Sequence, residues 1–437
     1  MKLIIHRGTH EIGGSCVEIE DNGSRIVIDI GMPLVKPNGE RFDIKDFKNL
    51  TGPQLVQKKI LPDIKGIYPW DISIKSIDGL LISHAHMDHY GLYSYVRDDL
   101  SYFMGEGTKK LIDISNLFLS SQGTMKHCTH FKNGQGFHVG TFKVTPYLMD
   151  HSAFDAYAFL VESGDKKIFY SGDFRSHGRK SKTFKRFLNH CPEEVDALLL
   201  EGSLVSRDDN NSHQKSEQEI QNEIETTIRV SDKIIFAIQS SQNIDRAVSF
   251  FKAALKTKRL FVIDIYTAHI LNTLKDHAKL PYASDGFSNI RVFYPYRLCS
   301  RLTEMGHQDI LYTYKRFKIT KDEISKHHPN IVMLIRPTMI EDLSRLGDID
   351  CSTIIYSMWE GYLKEHSMDR FLQFAKKHRM KMIAIHTSGH ADIETLKAFV
   401  NNMKPKKIIP IHTFKPEYYP SLFHNVISAL DGVEIII

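Results

Sequence analysis

The sequence predicts an α/β protein in which a strand-rich domain is interrupted by an inserted domain with a parallel sheet. Short apolar runs joined by tight turns fill the first part of the chain, a pattern typical of β-structure. After Gly202, apolar runs alternate with helical patterns, which indicates parallel strands with crossover helices. The predicted boundaries are 1–205 for the first part, 206–366 for the insert and 367–437 for the return to the first domain.

Hairpins account for the first part. Residues 17–20 alternate apolar and acidic side chains, Asn22-Gly23 is a hairpin turn, and 25–30 is the return strand. A second hairpin joins 155–162 to 167–171, and 197–200 is expected to be a short buried strand.

The insert is expected to begin with a polar loop at 206–212. Ile220, Ile224 and Ile228 then lie at helical spacing. The strands predicted in the insert are 234–238, 260–265, 331–335 and 353–356. The returning part is predicted to contain a helix from about Met368, the strand 382–385, a helix over 393–403, and the strands 408–411 and 433–437.

Composition places the chain among ordinary globular proteins. It has 437 residues, 42% of them hydrophobic and 25% charged, and no apolar stretch reaches the ~20 residues that a membrane span needs. The apolar start is too short for a signal peptide, and five scattered cysteines argue against a disulfide framework. We therefore expect a cytoplasmic protein with no membrane partner. The net charge of +5 permits a polyanionic partner without requiring one.

A dense group of metal-binding side chains follows the apolar run 79–83. His84, His86, Asp88 and His89 place three imidazoles and a carboxylate within six positions. A turn at the end of a strand lets such side chains converge, and these ligands suit zinc, manganese or iron. Other polar residues also follow predicted strands, where sheets gather functional groups: Asp29, His151, Asp173, Glu201, His390 and His412.

The His-x-His-x-Asp-His pattern resembles that of the metallo-β-lactamase fold, an αββα sandwich that binds two metals. The resemblance implies a first metal on His84, His86 and His151, and a second on Asp88, His89 and His412. Asp173 would bridge the two ions, and Asp29 would orient the ligands. It implies two Zn²⁺ ions, with Mn²⁺ as the alternative, and hydrolysis by a hydroxide held between them.

The insert resembles the cap domain of β-CASP nucleases, which closes over the metal site to form a nucleic-acid groove. Glu201, His390 and His412 match the three further motifs of that family, and 386–413 looks like the ribonuclease J group. A histidine at the third motif favours RNA over DNA. The resemblance implies three catalytic residues, Asp88, His390 and Glu201. His390 would protonate the leaving group, and Glu201 would be hydrogen-bonded to His390.

Alternatives to an RNA-hydrolysing enzyme stay open from the sequence alone. They are a DNA nuclease of the same fold, a small-molecule metallo-hydrolase, and a metal-stabilised binding module without turnover. Endonucleolytic and 5′-exonucleolytic cutting are both compatible with the motifs, and the oligomeric state is left open.

Substrate phosphate is expected at two places outside the metal cluster. Ser240, Ser241, Arg246 and Ser357 resemble the phosphate-binding elements of the β-CASP insert, although a plain helix N-cap explains either serine about as well. Six cations and no acid also lie within 175–186, where a solvated basic face and an RNA-tracking face are both open interpretations.

Overall fold

The computed structural model describes residues 1–36, 39–73, 76–119, 123, 125–205 and 214–437. The chain forms two compact units. The first unit comprises Met1–Ile112, Ser121–His213 and Gly389–Ile437, and the second comprises Asp113–Ser120 and Gln214–Ser388. The polar loop predicted at 206–212 lies outside the described residues. Within them, no helix combines the length and the apolar composition that crossing a membrane requires.

The strands of the first part confirm both predicted hairpins. They are β1 (Lys2–Arg7), β2 (Cys16–Asp21), β3 (Ser24–Ile28), β4 (Gly79–Leu81), β5 (Ser101–Met104), β6 (His127–His130), β7 (Phe137–Val139), β8 (Phe142–Leu148), β9 (Tyr157–Ser163), β10 (Lys166–Tyr170) and β11 (Ala197–Glu201). The helices between them are α1 (Gly52–Gln57), α2 (Met87–Tyr90), α3 (Glu106–Leu119) and α4 (Ser181–Leu188), with 3₁₀ turns at Ile44–Phe47 and Tyr93–Tyr95.

The insert alternates strands and helices as its sequence predicts. The strands are β12 (Ile235–Ile238), β13 (Leu260–Asp264), β14 (Ile290–Phe293), β15 (Ile331–Ile335), β16 (Thr353–Tyr356) and β17 (Lys381–Ala384). The helices are α5 (Glu217–Arg229), α6 (Ile244–Lys256), α7 (Ile265–Thr273), α8 (Tyr296–Glu304), α9 (Gln308–Thr313), α10 (Lys321–His327), α11 (Ile340–Leu343) and α12 (His366–Lys377). Short 3₁₀ turns lie at Asp285–Phe287, Lys315–Phe317, His328–Asn330, Pro337–Met339 and Glu360–Lys364.

The chain then returns to the first unit. This part consists of α13 (Ile393–Met403), β18 (Ile408–Ile411), a 3₁₀ turn at Pro416–Tyr418, α14 (Tyr419–Leu422) and β19 (Glu434–Ile436).

Two sheets pack face to face in the first unit. One has the order β19-β1-β2-β3-β4-β5-β6 and the other β18-β11-β10-β9-β8-β7. Alternation along each strand sends one set of side chains inward, so that Val17 and Ile19 of β2 meet Phe159 and Val161 of β9 in a common core. Helices α4 and α13 cover the outer face of the second sheet. The fold prediction, a two-sheet sandwich with an inserted α/β domain, is confirmed.

The second unit contains a six-stranded sheet in the order β14-β13-β15-β12-β16-β17, with every paired strand parallel. Strand β17 pairs with β16 from Thr353 opposite Lys381 to Tyr356 opposite Ala384. The predicted boundary at residue 366 falls before α12 and β17, whereas the compact units divide after Ser388. Residues 367–388 belong with the insert because β17 completes its sheet and α12 packs in its core.

Candidate metal centre and active site

The histidine-rich cluster occupies the turn between β4 and the single-turn helix α2. His84 and His86 lie in the turn, while Asp88 and His89 lie on α2. This geometry brings the rings together, since the centroid of His84 lies 4.8 Å from that of His86 and 4.0 Å from that of His89. A longer helix would turn these side chains away from one another.

The remaining ligands come from one edge of the second sheet. Strands β10, β11 and β18 are parallel neighbours, and β8 shares their direction because β9 runs antiparallel to both β8 and β10. Their carboxyl ends therefore meet at the same edge. His151 follows β8, Asp173 follows β10, and His412 directly follows β18.

All seven predicted ligands converge in this structure. Their nitrogen and oxygen atoms form overlapping groups within 4.8 Å of one another: His84, His86 and His151; His84, His89 and Asp173; and Asp88, His89 and His412. Asp173 lies between them, with its Oδ2 at 3.2 Å from His89 Nε2, 3.5 Å from His412 Nε2 and 3.8 Å from His84 Nε2. This is the arrangement expected of a carboxylate shared by two ions.

The polar atoms that face the centre of this cluster fit a metal. The Nε2 atoms of His84, His89 and His412 and the Oδ1 of Asp173 are buried and make no hydrogen bond within the described structure. Burying such atoms is costly unless something pairs with them. A divalent cation satisfies imidazole nitrogen and carboxylate oxygen together.

The protonation states of five of the predicted ligands also favour metal binding. Burial is the main cause that lowers the pKa of His84, His151 and His412, and it lowers the pKa of His86 to about 4. Burial acts to raise the pKa of Asp173, but the surrounding histidines outweigh it and hold that pKa well below its usual range. Neutral imidazoles and an ionised carboxylate are the forms that coordinate metals.

Asp29 holds His89 from behind. This carboxylate is fully buried and accepts hydrogen bonds from the Ser83 amide (2.8 Å), the Ser83 hydroxyl (2.8 Å) and the Tyr170 hydroxyl (2.8 Å). Its Oδ2 also lies 2.7 Å from His89 Nδ1. Burial acts to lower the pKa of His89, but Asp173 and Asp29 hold that pKa well above its ordinary value. Without a metal these carboxylates therefore favour a ring protonated on both nitrogens; a metal would replace the proton on Nε2, while the Asp29 contact keeps the proton on Nδ1.

Other supporting contacts carry no signal in the sequence. His151 Nδ1 donates to the Gly389 carbonyl (2.7 Å), which turns its Nε2 toward the cluster. The Ser15 hydroxyl lies 2.9 Å from His412 Nδ1, and the Gly13 amide lies 3.3 Å from the same atom. Gly13 and Ser15 lie far from His412 along the chain, and only the sandwich brings them together.

His390 and Glu201 lie at the border of the cluster. His390 Nδ1 is 3.5 Å from Glu201 Oε2 and 3.7 Å from Asp173 Oδ2, so the predicted hydrogen bond to Glu201 is longer than a well-formed one. Glu201 is held by the amides of Ser203 (2.9 Å) and Ala391 (3.1 Å). The His390 side chain is 19% exposed, whereas that of Glu201 is 1% exposed. The imidazole can therefore meet a substrate, and the carboxylate can only orient it.

The structure contradicts the predicted phosphate contact of Arg246. Its guanidinium is fully buried, where it pairs with Glu217 at 3.0 Å and contacts the hydroxyl of Ser357. Ser357 in turn donates to the Ile385 carbonyl, so both residues stabilise the interior of the insert. An arginine that follows a buried strand can bind an anion only when no acid pairs with it. The pairing with Glu217 could not be anticipated, because Glu217 lies far from Arg246 along the chain.

The two serines before α6 are not its N-cap. That position belongs to Asn243, whose side chain accepts from the Arg246 amide at 3.0 Å. Ser241 is buried, with its hydroxyl 2.9 Å from that of Thr267 and in contact with Arg336. Ser240 is exposed, and its phosphate contact stays a prediction.

Comparison with known proteins identifies two domains in the chain. The beta-lactamase superfamily domain matches residues 53–234, and the Zn-dependent metallo-hydrolase RNA specificity domain matches residues 377–417. The second match contains both His390 and His412.

Curated relatives match nearly the whole chain. Ribonuclease J of Helicobacter pylori is 24% identical over 419 residues, which cover 93% of this chain and 55% of that protein. An RNase J-like protein of Methanocaldococcus jannaschii is 24% identical over 456 residues, covering 96% and 93%. Transcription termination factor FttA of Methanothermobacter thermautotrophicus is 22% identical over 470 residues, covering 94% and 66%. The chain thus spans about half the length of the Helicobacter relative.

One solved structure shares the architecture from end to end. A protein of unknown function from Enterococcus faecalis superimposes with a TM-score of 0.79 and 19% sequence identity, covering 100% of this chain and 99% of the other. This likeness extends the shared fold across both compact units.

Proposed function

We propose that this protein, a ribonuclease J-like member of the metallo-β-lactamase superfamily, hydrolyses RNA. The phosphodiester bonds would be hydrolysed at a centre of two metal ions. The observation that carries the proposal is the convergence of six predicted ligands around the seventh, Asp173, with His390 and Glu201 at their border. Zinc is the expected metal, and manganese is the alternative that the same nitrogen and oxygen donors accept.

The ligand set divides into two groups that share one carboxylate. His84, His86 and His151 would hold the first ion, and Asp88, His89 and His412 the second, with Asp173 common to both. Two such ions, when bound, would polarise the scissile phosphate and lower the pKa of the attacking water. Asp29 keeps His89 in the tautomer that presents Nε2 to this centre.

His390 is the proposed general acid. A phosphodiester cannot be cleaved efficiently unless the departing oxygen receives a proton, and imidazole supplies one near neutral pH. The His390 ring is partly exposed at the border of the cluster, and its Nδ1 faces the carboxylates of Glu201 and Asp173. As a general acid the ring would carry a proton on each nitrogen: the carboxylates hold the proton on Nδ1, and the proton on Nε2 passes to the leaving oxygen of the substrate.

RNA is the proposed substrate for reasons of both sequence and relatives. His412 at the third motif favours RNA, the RNA specificity domain matches 377–417, and two relatives that match 93% and 96% of this chain carry ribonuclease names. The proposal covers endonucleolytic and 5′-exonucleolytic cutting.

The test uses single-stranded RNA and DNA of one sequence, labelled at either end, with and without a chelator. Preferential, chelator-sensitive cleavage of RNA is expected; preferential cleavage of DNA would contradict the substrate assignment.

Replacing His390 tests the general acid. His390→Gln should lower kcat for RNA by about 10²–10⁴-fold, the usual contribution of a positioned acid, while metal content stays that of the wild type. His366→Gln is the matched control, because that histidine is 99% exposed. Wild-type kcat in the His390 variant would exclude this role.

A further inference from the structure

Helix α4 presents a cationic face that the proposed chemistry does not use. Its sequence, Ser-Lys-Thr-Phe-Lys-Arg-Phe-Leu, contains Lys182, Lys185 and Arg186 and no acid. These cations have the spacing i, i+3 and i+4, which places them on one side of a helix. All three are exposed, and none takes part in an ion pair within the described structure. We call these three residues the α4 basic face.

The opposite side of α4 is anchored in the core. Phe184 and Phe187 are buried, and the Phe187 ring lies 5.2 Å from that of Phe399 and 5.4 Å from that of Tyr147. The helix is therefore fixed on the sheet that carries the metal ligands. Its cations project from a rigid support, which lowers the cost of ordering a bound strand.

The start of α4 lies against the metal centre. Lys180, the residue before the helix, donates from Nζ to the carbonyl of the ligand His151 at 2.9 Å. From Lys180 to Arg186 the helix axis advances about 9 Å at 1.5 Å per residue, so the α4 basic face lies within about two helical turns of this contact. Arg175, the first of the six cations within 175–186, does not contribute to this face, because it is fully buried near Asp150.

We infer that the α4 basic face binds the sugar–phosphate backbone of single-stranded RNA and guides it to the metal centre. This inference rests on the proposed function, since it assigns part of the substrate's path to the same site. Solvated lysine and arginine side chains neutralise phosphates without reading sequence. A row of cations with no facing acid is complementary to a polyanion and gives no reason to bind a neutral or cationic partner.

The test compares two triple variants of the full chain. The first is Lys182→Gln, Lys185→Gln and Arg186→Gln. The matched control is Lys45→Gln, Lys48→Gln and Lys58→Gln, which removes three exposed cations around helix α1 and its preceding turn. Both are measured by fluorescence anisotropy with a 20-nucleotide RNA between 50 and 200 mM salt, and by kcat and KM for that RNA.

Loss of three phosphate contacts should reduce the slope of log affinity against log salt by about 2, since each contact on a single strand contributes ~0.7. We expect the α4 triple variant to bind RNA roughly 10–100-fold more weakly at 100 mM salt, with KM rising more than kcat falls. The control triple variant should keep the wild-type slope and affinity. Thermal melts of both variants exclude unfolding as the cause.

Two outcomes would overturn the inference: equal affinity and salt slope in the α4 variant and the wild type, or equal losses in both triple variants. Binding and cleavage are measured separately, so the two proposals fail separately. A wild type that binds RNA through this face without cleaving it would contradict only the proposed hydrolysis. A wild type that cleaves RNA with no loss in the α4 variant would contradict only the role of the face.

Discussion

Asp29→Asn is the substitution that tests the design of the metal centre most closely. Asp29 follows β3 with φ of +61°, a conformation that asparagine also tolerates, so the change keeps the backbone. The carboxylate now accepts from Ser83, Tyr170 and His89. An amide cannot accept all of these bonds, because one end of it is itself a donor.

The magnitude follows from the tautomer of His89. Whichever way the new amide turns, its NH₂ group would face either the Ser83 amide or Nδ1 of His89, and in both cases the charge that holds the proton on Nδ1 is gone. Losing such an orienting partner typically costs 10–100-fold in metal affinity, or about 1.4–2.7 kcal/mol. We expect this loss in the ion held by Asp88, His89 and His412. The ion held by His84, His86 and His151 should be weakened less.

The assay is zinc competition against a chromophoric chelator, with bound metal per chain measured independently. Tyr170→Phe is the matched control, because it removes a neutral donor to Asp29 and keeps the charge. It should change zinc affinity by about 5-fold or less, since a neutral hydrogen bond contributes ~1 kcal/mol. Zinc affinity within twofold of the wild type in Asp29→Asn would refute the reasoning.

Two further predictions concern stability. Burial acts to raise the pKa of Glu18, but hydrogen bonds from His6 and Arg25 lower it from 4.5 to about 2, so Glu18 should contribute about 3 kcal/mol at neutral pH. That contribution is complete above pH 4.5 and is lost as the pH falls toward 2, so urea unfolding of Glu18→Gln and the wild type should differ less at pH 3 than at pH 7; a constant difference would argue against the ion pair. Arg246→Met should cost about 3–5 kcal/mol because it leaves the buried Glu217 uncompensated, and adding Glu217→Leu should recover most of it. Unfolding curves in which the double variant is as unstable as the sum of the single ones would contradict this pairing.

Local patterns predicted most of the fold. Strand alternation and the Asn22-Gly23 turn are written in neighbouring residues, and the βα rhythm of the insert follows from its apolar runs. The predicted boundary at 366 differs from the division of the compact units because β17 joins the insert's sheet by pairing with β16. The pairing partner of a strand is not encoded in that strand alone. Strand β14 and helices α8 to α10 were not anticipated, since their apolar residues are too scattered for a clear period.

The candidate site divides in the same way. Its candidate metal-binding residues could be found in the sequence because four of them crowd into 84–89, and the others follow strands whose ends meet at one edge. The contacts that hold those ligands were not, because Ser15 reaches His412 only after the two halves of the sandwich assemble. For Arg246 the prediction was wrong. A cation at the start of a helix suggested an anion site, but the guanidinium is paired with Glu217, an acid that lies far from it along the chain.

The cluster around Asp173 is proposed to hold the metals that support RNA hydrolysis. The direct measurement is to strip the protein of metal, return zinc in steps, and follow bound zinc and RNA cleavage together. Cleavage should rise as the second ion per chain binds, and His89→Ala should restore neither the second ion nor the activity. Full zinc occupancy without cleavage, or wild-type cleavage by His89→Ala, would contradict the account.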